Sequence, residues 1–271
     1  MIKLVVSDVD GTLVRTDKSL APSTIDAVTR LQRAGVPVAI VSARPPFGMR
    51  WLQDALHLTG PLAGFNGGSL VAPDGTIIEE RKVPEAAART ALDLFKSRGV
   101  SAWLFTSTEW LVLDPNGPHV DHERHTIRGH ERVVDSFEPY ITQAGKLVGV
   151  TDDAPLLEAL ERELQATLGT TANAKRSQTY YLDVTHPEAN KGNAVRLLAA
   201  AAGVTVEEVA VLGDMMNDVP MFKVAGFSVA MGNATDEVKR LASAATGAND
   251  ADGWAQAVDS LLLPRAARPA A

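Results

Sequence analysis

Apolar and polar positions fall in blocks along the first 83 residues that predict strand, helix, strand. Residues 2–9 form a short apolar run rich in β-branched residues, and it closes on Asp8-Val9-Asp10-Gly11-Thr12. A run this short reads as a buried strand. Ser23 or Thr24 then caps a helix whose apolar positions Ile25, Val28 and Leu31 recur at helical spacing, and Gly35 ends it. Residues 36–41 are a second apolar run, ending at Ser42-Ala43-Arg44-Pro45. Strand, helix, strand is the unit of a parallel sheet. Pro45 and Pro46 suit the entry to another helix, through Trp51 and Leu52 to Leu56. Residues 61–65 make a third short run before Asn66-Gly67-Gly68, and 69–72 with 76–78 flank an Asp74-Gly75 turn as a hairpin.

The texture changes after Val83. Residues 84–98 read as a helix with Ala87, Ala91, Leu92 and Phe95 on one side, and 102–105 with 109–113 as an antiparallel pair. Residues 114–138 are polar and dense in His, Arg and Asp, with no element assigned. Strands are expected at 146–150 and 179–184, and an amphipathic helix at 154–168 with Leu157, Leu160, Leu164 and Leu168 as its core stripe. Strand pairs beside helices, without alternation, predict a separate α+β domain over 84–187. From Asn190 the first pattern returns. Lys191-Gly192 opens a helix, a buried strand at 208–212 ends in Gly213-Asp214-Met215-Met216-Asn217-Asp218, and a strand at 226–230 ends in Met231-Gly232-Asn233-Ala234. Thr235 or Asp236 caps the next helix, and 251–262 is the last. The fold class is therefore α/β, a parallel-sheet core over 1–83 and 188–271 with an inserted α+β domain.

Composition narrows the function classes. The chain has 271 residues, 45% of them apolar, enough for one large domain or two modest ones. Net charge is −7 and no long basic run stands out, which argues against a nucleic-acid partner. Cysteine is absent, removing disulfides, thiolate metal sites and a thiol nucleophile. No apolar stretch reaches the roughly 18 residues of a membrane span, and the first strand begins at once, without a leader. A cytoplasmic protein is the expectation. The Ala/Pro/Arg-rich tail, 264–271, is expected to fray.

The candidate chemistry gathers at strand ends, where open α/β sheets place it. Asp8 and Asp10 lie two apart on an extended segment and so face one side. Two close carboxylates repel unless a cation or proton sits between them, and Mg²⁺ takes hard oxygen ligands of this kind. Ser42 ends the second strand, where its hydroxyl can bond a phosphate oxygen or merely start a turn. Lys191 opens a helix just before the third acidic group. Carboxylates, a hydroxyl and a lysine together are what phosphoryl transfer needs.

In that order, Asp8-Val9-Asp10-Gly11-Thr12, Ser42, Lys191-Gly192 and Gly213-Asp214-Met215-Met216-Asn217-Asp218 resemble the four motifs of the haloacid dehalogenase superfamily. The insert, with Asn66-Gly67-Gly68 and Met231-Gly232-Asn233-Ala234, is similar to its Cof-type (subclass IIB) branch with a C2 cap. The resemblance implies a Rossmann-like core and a phosphatase of small metabolites such as sugar phosphates. It implies Asp8 as the nucleophile that forms an aspartyl-phosphate. It makes Asp10 the acid that protonates the leaving alcohol and the base that then activates water. Ser42 and Lys191 would hold the phosphoryl oxygens. Asp8, Asp10 (through its backbone carbonyl) and Asp214 would bind Mg²⁺, with Asp218 and Asn217 orienting them from behind. Ala43, Asn66, Asn190 and Asn233 are weaker candidates, around the site. Ser42-Ala43-Arg44 stands where the family more often has Thr-Gly-Arg; the hydroxyl is kept.

Other features are assigned to packing or surface. His119, His122 and His125 do not share one helical face, and read as cap surface or substrate contacts rather than a metal site. Met215 and Met216 are expected to pack under the acidic loop, and Trp103 and Trp110 to pack or line a pocket. Arg124, Arg128, His122, Lys175, Arg176 and Tyr180 are the polar cap residues that could reach a leaving group. The rivals to a phosphatase are a phosphomutase on a hexose phosphate and a sugar-phosphate sensor without catalysis. Oligomeric state is not legible.

Overall fold

The computed structural model describes residues 1–266. In chain order, β1 (Leu4–Ser7) leads through α1 (Pro22–Arg33) to β2 (Val38–Ile40), then α2 (Arg50–Ala55), β3 (Leu62–Gly64), β4 (Ser69–Val71) and β5 (Ile77–Glu80). Next come α3 (Glu85–Ser97), β6 (Ser101–Phe105), β7 (Trp110–Val112), α4 (Val120–Ile127), β8 (Arg132–Val133), β9 (Lys146–Val150), α5 (Ala154–Leu168), β10 (Asn173–Gln178) and β11 (Tyr181–Thr185). The chain closes with α6 (Lys191–Ala201), β12 (Val209–Gly213), α7 (Val219–Phe222), β13 (Phe227–Ala230), α8 (Asp236–Arg240), β14 (Ala244–Ala245) and α9 (Gly253–Ala257).

Among the described residues three sheets form. The first is parallel, in the order β14-β13-β12-β1-β2. Its central strands β1 and β12 are buried throughout, which is why they appear as continuous apolar runs. Helices cover both faces: α1 and α9 pack with one cluster, α6 and α7 with the other. The second sheet has six strands, β10-β11-β9-β6-β7-β8, antiparallel except for β7 with β8. Leu104, Leu147, Leu182 and Val184 turn to α3 and α5, where Leu157, Leu160, Leu164 and Leu168 meet them as expected. The alternate residues Trp103, Phe105, Val148 and Tyr181 form an aromatic cluster on the other face. The third run does not join the parallel sheet. β3 pairs with β4 and β5 in a small antiparallel sheet, tied to the core by one parallel bridge, Val41 to Ala63.

Several local expectations change. Neither Ser23 nor Thr24 caps α1; Ala21 is the N-cap and Pro22 supplies a preset first turn, while Ser23 donates to Asp252. The polar stretch 114–138 contains α4 and the short β8, and the polar segment before β11 is the strand β10. The last helix is broken, passing from α9 into a π-turn at Val258–Leu262. The tail is ordered further than expected: Leu263–Arg265 is a helical turn and Ala266 bridges to Ile2. Residues 267–271 lie outside the described residues.

Candidate active site

The parallel sheet delivers its strand ends to one place. Asp8 follows β1, and its carboxylate Oδ1 accepts from Lys191 Nζ at 2.6 Å. The same ammonium reaches Asp218 Oδ1 at 2.5 Å. Lys191 begins α6, whose N-cap Asn190 accepts from the Asn193 amide, so the helix end is fixed independently of the lysine. Asp214 follows β12. It accepts from Thr12 Oγ1 at 3.1 Å and from Asn233 Nδ2 at 3.2 Å. Asp218 is fully buried and accepts the backbone N–H groups of Asp214 and Met215 through Oδ2, which closes the acidic loop on itself.

Carboxylate oxygens of Asp8, Asp214 and Asp218 lie within 4.8 Å of one another. Three carboxylates face one ammonium, so the group carries a surplus of negative charge. Burial first, then the neighbouring Asp218 and Asp214 charges, push the Asp8 carboxyl well up, against the pull of Lys191. Burial and Asp218 push Asp214 up to about 6. Burial would lower the Lys191 ammonium, but Asp218 and Asp8 outweigh it and hold its pKa well above the ordinary lysine value. Hard oxygen donors with about two uncompensated charges fit a hard divalent cation. Asp10 stands apart. Its side chain turns to Arg44 and Lys18, with Arg44 Nε and Nη2 and Lys18 Nζ each at 2.7 Å. Burial would raise this carboxyl; the two cations outweigh it and hold it well below the carboxylate range.

Above these groups opens a cleft of about 280 Å³, walled by Asp8, Asp10, Ser42, Ala43 and Lys191 on one side and the aromatic face of the six-stranded sheet on the other. A model of the haloacid dehalogenase-like hydrolase family matches residues 5–258. The chain belongs to this family. Pyridoxal phosphate phosphatase YbhA of Escherichia coli (strain K12) is 27% identical over 275 residues, which cover 96% of this chain and 99% of that one. HMP-PP phosphatase of Cronobacter sakazakii (strain ATCC BAA-894) is 30% identical over 239 residues, 88% of this chain and 87% of that one. A haloacid dehalogenase-like hydrolase from Bacteroides thetaiotaomicron, known as a crystal structure, superposes with a TM-score of 0.88 at 30% identity, covering 96% and 99% of the two chains.

In this haloacid dehalogenase-like hydrolase the expected residues divide into three groups. Asp8, Asp10, Ser42, Ala43, Lys191 and Asn217 line the cleft. Asp214, Asp218 and Asn233 stand behind it, Asn233 bridging Asp214 to the Gly11 carbonyl. Asn66 does not reach the cleft: it sits in a left-handed turn, and its backbone N–H donates to the Ser42 carbonyl at 2.7 Å. Met215 and Met216 do not pack under the acidic loop. They are 49% and 43% exposed, because Asp218 holds the loop through backbone N–H groups, and Met215 lines the cleft.

Of the polar cap candidates, His122 and Tyr180 line the cleft. Arg124 pairs with Glu131 and Asp121, Arg176 with Glu161, and Lys175 is exposed. Arg128 lies 3.5 Å over the Trp51 ring. His119 stacks on Tyr180 and bonds Asp152 at 2.7 Å. Trp103 lines the cleft and Trp110 packs beside it. Lys18, Arg44, Glu123, Lys146 and Asp183 also line the cleft and were not among the expected site residues. Asp183 had a readable signal, a lone charge inside the apolar run Tyr181-Leu182-Asp183-Val184.

Proposed function

We propose that this chain is a Mg²⁺-dependent phosphatase that hydrolyses a small phosphorylated metabolite through an aspartyl-phosphate, with residues 84–187 acting as a cap over the core. The observation that carries the reading is the buried Lys191 held between Asp8 and Asp218, beside Asp214 and open to a cleft walled by Ser42. Asp8, Asp214 and the backbone at Asp10 would hold Mg²⁺, with Asp218 behind them. When bound, the cation supplies positive charge that offsets the phosphoryl oxygens and lets an anionic ester approach the Asp8 carboxylate.

Asp8 attacks phosphorus and the ester P–O bond breaks, while Asp10 gives the alcohol oxygen its proton. Water then attacks the phosphorus of the aspartyl-phosphate and gives a proton to Asp10, which restores the Asp8 carboxylate and releases phosphate. Arg44 and Lys18 hold Asp10 ionised in the ligand-free chain, the form the second step requires, so the proton it passes to the alcohol in the first step is one brought by the incoming ester monoanion. Lys191 and Ser42 hydrogen-bond the phosphoryl oxygens. The cleft is near the lower end of small-molecule pockets, ~300 Å³, which supports a compact ester over a polymer. The names of the relatives, pyridoxal phosphate phosphatase among them, support the same class.

The test is phosphate release from a panel of sugar, nucleotide and pyridoxal phosphates, with Mg²⁺ and with chelator, beside Asp8→Asn. Release that needs Mg²⁺ and disappears in Asp8→Asn is the expected result. Isomerised hexose phosphate without free phosphate would replace this reading with a phosphomutase.

A further inference from the structure

The sheet face turned to the core is apolar at Trp103, Phe105, Val148 and Tyr181, yet Lys146 and Asp183 stand among them and line the same cleft. Asp183 is paired in register with Val148, so Lys146, two residues earlier on β9, is its diagonal neighbour on that face. Both are more than nine-tenths buried. Lys146 Nζ lies 3.7 Å from Asp183 Oδ2 and donates to the Ala43 carbonyl at 3.1 Å. Asp183 Oδ1 is buried and has no hydrogen-bond partner among the described residues.

Glu123, on α4, is a second buried carboxylate in this wall, reached by the Tyr181 hydroxyl at 3.5 Å. Two carboxylates against one ammonium leave a negative charge uncompensated, because Arg44 is occupied by Asp10 and the Thr126 carbonyl. Burial pushes both carboxyls up, against the pull of Lys146 on each and a hydrogen bond from Ser177 to Asp183. An acceptor left without a donor in a ligand cleft calls for a donor on the ligand. A cationic group would meet Lys146 at close range. A hydroxyl suits both partners, since it donates to the carboxylate and accepts from the ammonium.

We propose that Asp183 and Lys146 form the specificity subsite of this enzyme, reading a hydroxyl on the alcohol part of the phosphate ester. The inference rests on the phosphatase reading, and it selects hydroxylated alcohols over cationic ones. Asp183 accepts from that hydroxyl and Lys146 donates to it, on the cap side of the cleft from Asp8.

The test uses the full chain with glucose 6-phosphate, its monodeoxy analogues and phosphoethanolamine. At least one deoxy analogue is expected to lose roughly 100-fold in kcat/KM, mostly through KM, since a site built to bond a hydroxyl rejects the analogue lacking it. Asp183→Asn, close in shape, and Lys146→Met are each expected to shrink that ratio to within about threefold. A purely structural role would lower every ester alike and leave the ratio unchanged. Unchanged ratios in folded variants, or a preference for phosphoethanolamine, would overturn the proposal. If no ester releases phosphate, the phosphatase reading fails instead. Calorimetric titration with glucose 6-phosphate and its deoxy analogues then decides the subsite from the same ratio, taken in affinities.

Discussion

Arg44 grips Asp10 through both carboxylate oxygens, Nε to Oδ2 and Nη2 to Oδ1, each at 2.7 Å. Its remaining nitrogen, Nη1, donates to the Thr126 carbonyl on α4 at 2.6 Å. One buried guanidinium thus aims Asp10, the proposed acid–base residue, and ties it to α4. A lysine cannot reproduce the planar fork. Arg44→Lys is therefore expected to lower kcat by about 10²-fold, the scale of a small misplacement of a reacting group. Steady-state kinetics beside a thermal melt separates this from unfolding.

The acidic trio makes the metal-free protein sensitive to pH. Asp214 is raised to about 6 in the fold, against an ordinary aspartate value of about 3.9. Between those values the folded state binds the extra proton, so stability is greater at the acidic end and falls as pH rises toward 6. Asp214→Asn removes this slope and raises the melting temperature of the metal-free chain near neutral pH. The same variant loses stabilisation by Mg²⁺, which at 100 times Kd should be about 2.7 kcal/mol in the parent. Melts with chelator and with Mg²⁺, across pH 4 to 8, read both effects.

Gly11 shapes the floor of the same site. Its φ is +76°, and a Cβ there would lie 2.3 Å from Asp214 Oδ2. A side chain at this position is both strained and in collision with a carboxylate of the trio. Gly11→Ala is expected to weaken Mg²⁺ binding by at least about tenfold, through displacement of Asp214. Mg²⁺ titration followed by calorimetry checks it.

Lys191 is the counter-charge of two buried carboxylates. Lys191→Met leaves Asp8 and Asp218 without it, and breaking a buried pair in this way costs about 3–5 kcal/mol. Urea denaturation should show that loss, and phosphate release should be abolished. Restoring one charge balance with Asp218→Asn in the Lys191→Met background should recover part of the stability and none of the activity.

The periodicity of the chain was sufficient for the skeleton. The runs that became β1, β2, β9 and β12 are buried strands, and α5 carries its leucines on one stripe; for such elements burial itself writes the pattern. The strand ends then marked Asp8, Ser42 and Asp214. Other elements, α4 and β10 among them, left no such trace. In α4 the buried positions are Val120, Glu123 and Ile127, so a carboxylate interrupts the apolar stripe. In β10 the pairing is to β11 alone, and an edge strand with one neighbour can stay polar.

The tertiary structure decided what meets across long separations. Lys191 reaches Asp8 over 183 residues, and Lys146 reaches the Ala43 carbonyl over 103. Asp8 and Asp10, neighbours in sequence, are drawn apart, one to Lys191 and the other to Arg44 and Lys18. A local pattern states which side of a strand a residue takes and whether that side is buried. The partner on that side belongs to another element, and only the packing of the six-stranded sheet against the parallel sheet sets Arg44, Lys146 and Asp183 around one cleft.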